Sequence, residues 1–353
     1  MKAARLLAPG QVQVVEEPMP ELGPGDSLVR VGAVGLCGSD LHWFGQGAIG
    51  DAVLSRPLVL GHEFGGTVES GPLRGRRVAV DPAQPCGTCP RCREGNANLC
   101  PHVRFAGHGS TDGGLGEYIA WPNELLFPVP DSFSSSTIAL LEPFGVALHA
   151  WDLGHVPLGG AVAVVGCGPI GLMVVQVAKA TGAAAVVGVE PLPHRRSAAT
   201  DCGATVVVSP QDLKAAQAVG AGAGSGLKGG QEPRGGRELK DSVDVAFEVA
   251  GTDEAVEEAM ELVRPGGRVV LVGIPDDDRT SFPAALARRK GLTIAMARRM
   301  KDAYPRAIDL VARGVVKIEP LVSHTFTLAE APGAFELAAR REGLKTVVQV
   351  GPA

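Results

Sequence analysis

Residues Ala161 to Gly171 read AVAVVGCGPIG, and this run constrains the fold more than any other part of the chain. An apolar, β-branched run ends in Gly166, Gly168 and Gly171, spaced G-x-G-x-x-G, and Pro169 suits the first position of a helix. A strand, a tight turn and a helix in this order make a phosphate cradle. The first glycine allows the turn, the second lets a pyrophosphate approach the backbone, and the third lets helix and strand pack closely. The helix N-terminus then presents unpaired N–H groups to the phosphates. Pro169 and Ile170 lie within the motif.

The pattern around the motif repeats. The sequence predicts a helix over Pro169–Ala180 stopped by Gly182, a strand at Ala185–Val189, a helix near Arg195–Ala199 and a strand at Thr205–Val208. Further on it predicts a strand at Val243–Val249, a helix at Glu254–Val263, a Pro265-Gly266-Gly267 turn and a strand at Arg268–Gly273. Alternating strands and helices imply a parallel sheet. Glu190 ends the second strand, where a carboxylate accepts from a ribose 2′-OH and repels a 2′-phosphate, so NAD is favoured over NADP. The basic residues His194, Arg195 and Arg196 that follow argue the other way. The Gly-rich stretch 220–236 reads as a lengthened surface loop.

Upstream of residue 145 the character differs. Short runs such as Ser27–Val34, Gly65–Glu69 and Arg77–Val80, separated by Gly and Pro, predict a barrel or sandwich with little helix. The tail carries a helix over Tyr304–Arg313 and a strand over Lys345–Val350.

Cys86, Cys89, Cys92 and Cys100 form C-x2-C-x2-C-x7-C among turn-forming Pro and Gly. Four soft thiolates so spaced can close a tetrahedron around zinc and leave no open position, which is a structural role. Cys37, His62 and Glu63 bring together a thiolate, an imidazole and a carboxylate, a donor set suited to an open zinc site. The N-terminus lacks the long apolar run of a secretory signal, and clustered cysteines without one point to metal binding in a reducing, cytoplasmic compartment. No run is long enough for a membrane span. With 33 basic and 38 acidic residues, net charge −5, the 353-residue chain shows no sign of a nucleic-acid surface.

CGSD-x-H at Cys37, GHE at Gly61, the four-cysteine lobe and GCGPIG strongly resemble, in order and over essentially the whole chain, the zinc-containing medium-chain dehydrogenases. The stretch from Cys37 to Glu63 is most similar to the polyol branch of sorbitol, xylitol and L-idonate dehydrogenases. The resemblance implies an α/β protein with a GroES-like β-barrel catalytic domain and a doubly wound Rossmann domain. Residues 1–145 and 287–353 would form the catalytic domain, with the zinc lobe at 85–101, and 146–286 the NAD-binding domain.

It further implies that Cys37, His62 and Glu63 hold a catalytic zinc, with Glu142 binding directly or through water, so that each chain carries two zinc ions. Ser39 and His42 occupy the proton-relay positions, histidine being suited to proton exchange near neutral pH. Val272, Gly273 and Ile274 fall beside the nicotinamide, Arg195 sits where NAD-using relatives carry a basic residue, and Trp43, Tyr118, Glu142 and Arg299 fall around the substrate. Arg299-Met300 stands where many polyol dehydrogenases have Arg-Tyr, and a sugar acid could use a basic residue here.

The expected activity is hydride transfer from a secondary alcohol of a polyol or sugar-like small molecule to NAD, by a homodimer or homotetramer. L-threonine 3-dehydrogenase and simple alcohol dehydrogenase are alternatives, and a zinc-stabilised nucleotide-binding protein without catalysis is one of a different class.

Overall fold

The computed structural model describes residues 1–220 and 239–351. Its residues cluster into two units. One comprises Met1–His149, Asp276–Asp278 and Arg298–Ala353, and the other Ala150–Pro275 and Arg279–Ala297.

The first unit is built on antiparallel pairing. The strand Asp26–Gly35 is its centre, flanked on one edge by Glu63–Val68, Arg77–Val80 and Leu126–Pro128. Its other edge is shared by Tyr118–Pro122, paired near residues 26–30, and Lys345–Gln349, paired at Ala33–Gly35. Lys345–Gln349 pairs in turn with Val322–Thr327, in parallel. The C-terminal strand thus joins the sheet centred on Asp26–Gly35. Apolar residues of both ends, including Val31, Val34, Phe64, Phe335 and Val348, share one core.

The second unit holds a six-stranded parallel sheet in the order Val206–Val208, Ala185–Val189, Ala161–Val165, Val243–Glu248, Val263–Leu271, Thr293–Met296. Numbered along the chain that order is 3-2-1-4-5-6, the doubly wound arrangement whose crevice opens where the order reverses. That point lies between Ala161–Val165, which ends at Gly166, and Val243–Glu248. The expected helix forms over Pro169–Ala180, and Gly182 takes φ 80° just beyond it. The sixth strand, Thr293–Met296, lies past residue 286, so the parallel sheet reaches further along the chain than the sequence suggests.

Helices escaped the sequence reading in the first unit. Gly38–Gln46 and Leu141–Gly154 are both helical, and the second contains the division between the units. Leu141–Gly154 is apolar nearly all round, so it lacks the periodic stripe by which a half-buried helix is recognised. Apart from Gly220, the Gly-rich stretch 220–236 lies outside the described residues. Among the described residues no helix is long and apolar enough to cross a membrane.

Candidate active site

Cys37 caps the helix Gly38–Gln46, and Asp40, three residues on, returns its Oδ2 to accept from the Cys37 N–H at 2.9 Å. Asp40 is fully buried. Its Oδ1 accepts from the Gly61 N–H at 3.2 Å and lies 3.4 Å from His62 Nδ1. One carboxylate therefore fixes the loop before His62, the imidazole itself and the backbone at Cys37. A carboxylate on the far nitrogen of a ligating histidine orients the ring and selects its tautomer. Burial alone would raise the Asp40 carboxyl, but His62 and the two backbone donors hold it below its ordinary value.

Ligand atoms of Cys37, His62 and Glu63 all lie within 4.8 Å of one another, as do the four Sγ atoms of Cys86, Cys89, Cys92 and Cys100. Cys89 Sγ lies 3.4 Å from Cys92 Sγ and 3.9 Å from Cys100 Sγ, and all four are free thiols. Sulfurs bound tetrahedrally at about 2.3 Å from zinc stand roughly 3.8 Å apart, so both donor sets fit the metal.

Glu63 has a partner that sequence reasoning missed. Lys345 Nζ donates to Glu63 Oε1 at 2.7 Å and to the Leu36 carbonyl at 2.9 Å, and both side chains are buried. Burial would lower the Lys345 ammonium, but the Glu63 carboxylate and Cys37 keep it raised. Glu142 lies in the first turn of Leu141–Gly154, 5 % exposed, and stays outside the close cluster of Cys37, His62 and Glu63. Burial pushes its carboxyl up to about 8; His62 opposes this and Glu63 adds to it.

Ser39 Oγ lies 3.4 Å from His62 Nε2. His42 stands one helical turn beyond Ser39, with Nδ1 3.4 Å from Asp276 Oδ1. The Arg299 guanidinium lies over the Phe105 ring, 5.1 Å from its centroid, and Phe105 in turn packs 5.3 Å from the His62 ring. Arg299 has φ 54°, left-handed for a non-glycine residue, and burial together with Arg298 lowers its pKa to about 10. The lobe holds this segment, since Asn98 Nδ2 donates to the Arg298 carbonyl at 3.0 Å and Lys301 Nζ to Asn96 Oδ1 at 2.8 Å. Met300 is buried against Gly145, where a side chain would strike its Sδ.

Trp43 and Tyr118 are the other two expected substrate residues. Trp43 is 1 % exposed, a core residue whose ring meets the edge of His108 at 5.4 Å. Tyr118 pairs with Arg30. Four residues before Tyr118, the Gly114 N–H donates to the carbonyl of Gly61, the residue preceding His62.

In the second unit the three glycines have distinct reasons. A Cβ on Gly171 would run into the Gly166 carbonyl, and one on Gly166, at φ 94°, would come 2.8 Å from the Ala250 nitrogen. Gly168 is different. A Cβ there would meet only the Arg195 Nη1 tip, at 3.5 Å, so its front is an open cradle of the kind a pyrophosphate needs. Pro169 and Ile170 begin the helix behind it. Glu190 is buried, and both its oxygens are engaged: Oε2 accepts from the Cys167 N–H at 2.8 Å and Oε1 from the Leu192 N–H at 3.0 Å. Arg196 closes the end of that strand, donating to the carbonyls of Glu190 and Pro191.

Glu248 plays the matching part on the next strand. It is buried, and its Oε1 accepts from the N–H groups of Ala250 and Gly251 at 2.7 and 2.6 Å. Val272 and Gly273 donate to the Glu248 carbonyl, which sets the segment Val272–Gly273–Ile274 beside this loop. A Cβ on Gly273 would strike the Gly251 nitrogen. Asp40, Lys345, Asp276, Phe105 and Glu248 were all missed from sequence; only Asp40 carried a local signal, its capping position three residues after Cys37.

Residues 23–131 match the family model of the alcohol dehydrogenase GroES-like domain, and residues 169–313 that of the zinc-binding dehydrogenases. The chain is 34 % identical over 356 residues to a sorbitol dehydrogenase of Bacillus subtilis, covering 99 % of this chain and 97 % of that protein. It is 35 % identical over 355 residues to the sorbitol dehydrogenase of Macaca fascicularis, covering 98 % and 94 %. Among solved structures, L-idonate 5-dehydrogenase of Escherichia coli superposes with a TM-score of 0.87 at 29 % identity, over 99 % of this chain and 98 % of that one. An alcohol dehydrogenase from Thermus sp. ATN1 gives 0.84 at 30 % identity, over 99 % and 100 %. With both family models matched in order and full-length relatives above 30 % identity, the chain belongs to the zinc-containing medium-chain dehydrogenase family.

Proposed function

We propose that the protein oxidises a secondary alcohol of a small polyol or sugar-like substrate, with NAD as acceptor. The observation that carries the reading is the gathering of Cys37, His62 and Glu63, with His62 held by Asp40, in a chain that also has an open cradle at Gly168. The similarity to sorbitol dehydrogenases supports a polyol as substrate. No observation favours L-threonine or a simple alcohol.

Cys37, His62 and Glu63 would hold the catalytic zinc, with Glu142 close by, and the four-cysteine lobe a second. When bound, zinc supplies a Lewis acid that eases loss of the hydroxyl proton, and the dinucleotide supplies the hydride acceptor. Ser39 Oγ would take up that proton, and His42, whose Nδ1 lies 3.4 Å from Asp276 Oδ1, would release it to solvent. Asp40 and Lys345 hold the donors in place. Glu142, buried at the start of its helix, would bind the metal directly or through water. Gly168 and the N-terminal turn at Pro169 receive the pyrophosphate, with Arg195 beside them, and Val272–Ile274 would border the nicotinamide.

NAD is the proposed dinucleotide because Glu190 sits at the strand end, where a 2′-phosphate would meet a buried carboxylate. The reading includes a homo-oligomer in the cytoplasm. The test is nicotinamide reduction by zinc-loaded protein with sorbitol, xylitol, galactitol, L-idonate, L-threonine and ethanol, each with NAD and NADP. Turnover of a polyol or sugar acid with NAD, lost in Cys37→Ala, is the expected result. Turnover of threonine or ethanol alone, or NADP used as well as NAD, would overturn the corresponding part.

A further inference from the structure

Three contacts join the four-cysteine lobe to the segment Arg298–Lys301. Asn98 Nδ2 donates to the Arg298 carbonyl at 3.0 Å, Lys301 Nζ donates to Asn96 Oδ1 at 2.8 Å, and Arg299 Nη1 reaches the Asn98 carbonyl at 3.4 Å. Asn96 and Asn98 stand between the third and fourth cysteines of the lobe, and Asn98 is buried. The turns of the lobe set their place. The Asn96 N–H donates to the Arg91 carbonyl at 2.8 Å, the Leu99 N–H to that of Asn96 at 2.9 Å and the Cys100 N–H to that of Ala97 at 3.0 Å.

The segment that Asn98 meets is strained. Arg299 has φ 54° and Asp302 φ 43°, two left-handed residues without a glycine between them. Side chains with a Cβ hold that conformation only where their surroundings enforce it, and such strain collects at ligand-binding segments. Asn98 grips the peptide on one side of Arg299, and the buried Met300 anchors the other. Between these two holds the direction in which Arg299 leaves the backbone is fixed. Its guanidinium lies 5.1 Å from the Phe105 ring centroid, and that ring packs 5.3 Å from the ring of His62. An arginine stacked by its face keeps its edge N–H groups for a ligand.

We propose that Asn98 is a positioning residue for the substrate: its amide fixes the peptide before Arg299, and so aims that guanidinium at the polar groups of an alcohol bound beside Cys37, His62 and Glu63. The lobe thereby acts on substrate affinity as well as on stability. This rests on the reading of the Cys37 cluster as the site of alcohol oxidation, with Arg299 facing the substrate.

The experiment is the Asn98→Ala variant, alone and combined with Arg299→Ala, in zinc-loaded protein. With the best of sorbitol, xylitol, galactitol and L-idonate as substrate, Asn98→Ala should raise KM at least threefold, change kcat less than twofold and keep two zinc ions per chain. The double variant should have a KM no higher than that of Arg299→Ala, because Asn98 acts through Arg299. Where Asn98→Ala loses the lobe's zinc, Asn98→Asp keeps the shape without the donor and carries the same expectations. An unchanged KM, a kcat that falls as far as KM rises, or losses that multiply in the double variant would each overturn the proposal. Should the wild-type protein oxidise none of the four alcohols, the functional reading fails, and a crystal structure of Asn98→Ala decides the positioning separately. There Arg299 should leave its left-handed conformation and its place over Phe105; an unmoved Arg299 would refute the role of Asn98.

Discussion

Lys345 Nζ lies 2.7 Å from Glu63 Oε1, an ion pair formed across 282 residues with both side chains buried. Removing one partner of a buried pair strands the other's charge in a dry interior, at about 3–5 kcal/mol. Lys345→Met should therefore lower stability by about that much in urea unfolding. Glu63→Gln with Lys345→Met should cost clearly less than the sum of the single changes. Additive losses would mean that the two charges do not depend on each other.

Gly168 and Gly171 belong to one motif but should fail differently. Gly171→Ala drives a methyl into the Gly166 carbonyl and should lower the melting temperature. Gly168→Ala meets no backbone and has φ −70°, which alanine adopts freely, so the melting temperature should hold while NADH affinity falls at least tenfold. Unchanged NADH affinity in Gly168→Ala would sink the assignment of the cradle.

Elemental analysis should separate the two metal sites. Cys100→Ser should lose the lobe's zinc and unfold more readily, since the lobe then lacks its closing ligand. Cys37→Ala should lose the other zinc and all turnover while the lobe stays loaded. Full zinc content in both variants would rule out these ligand sets.

Asp81 is half-buried, and loss of solvent raises its carboxyl to about 6, with Asp302 adding and Arg299 opposing. Its backbone donor, the Ala83 N–H, also opposes the rise. The unfolded carboxyl ionises near its ordinary value, about 3.9, so between there and 6 the folded state binds more protons and stability falls as pH rises. Asp81→Asn keeps the shape and never ionises. It should raise the melting temperature at pH 7, by the equivalent of about 1–3 kcal/mol, and change it little near pH 4. An equal effect at both pH values would contradict the burial argument.

Arg299 holds a left-handed backbone and lies over Phe105, which packs on His62. If its charge reads the substrate, Arg299→Ala should raise KM about tenfold for a sugar acid and much less for a neutral polyol. Equal effects on both would reduce Arg299 to a packing residue.

The legible parts of this protein were those whose physics is local. The glycine motif, the strand before it and the four-cysteine lobe each meet their constraint within about a dozen residues, so chain order alone showed them. The helix Leu141–Gly154 stayed hidden because burial on all sides erases the periodic stripe. That Trp43, on the helix Gly38–Gln46, packs into the core was not legible either, because its burial depends on segments distant in the chain.

By itself the sequence determined which side chains could hold metal and where a dinucleotide's phosphates could approach, because soft donors and missing Cβ atoms are properties of residues. Only the tertiary structure decided what surrounds them. Lys345 meets Glu63 and Asp276 meets His42 because the chain's distant segments return to the N-terminal unit. Glu190 turns both oxygens to backbone N–H groups because a carboxylate buried at a strand end takes the nearest donors. Such pairings depend on long-range closure of the chain, and no spacing in the sequence encodes that directly.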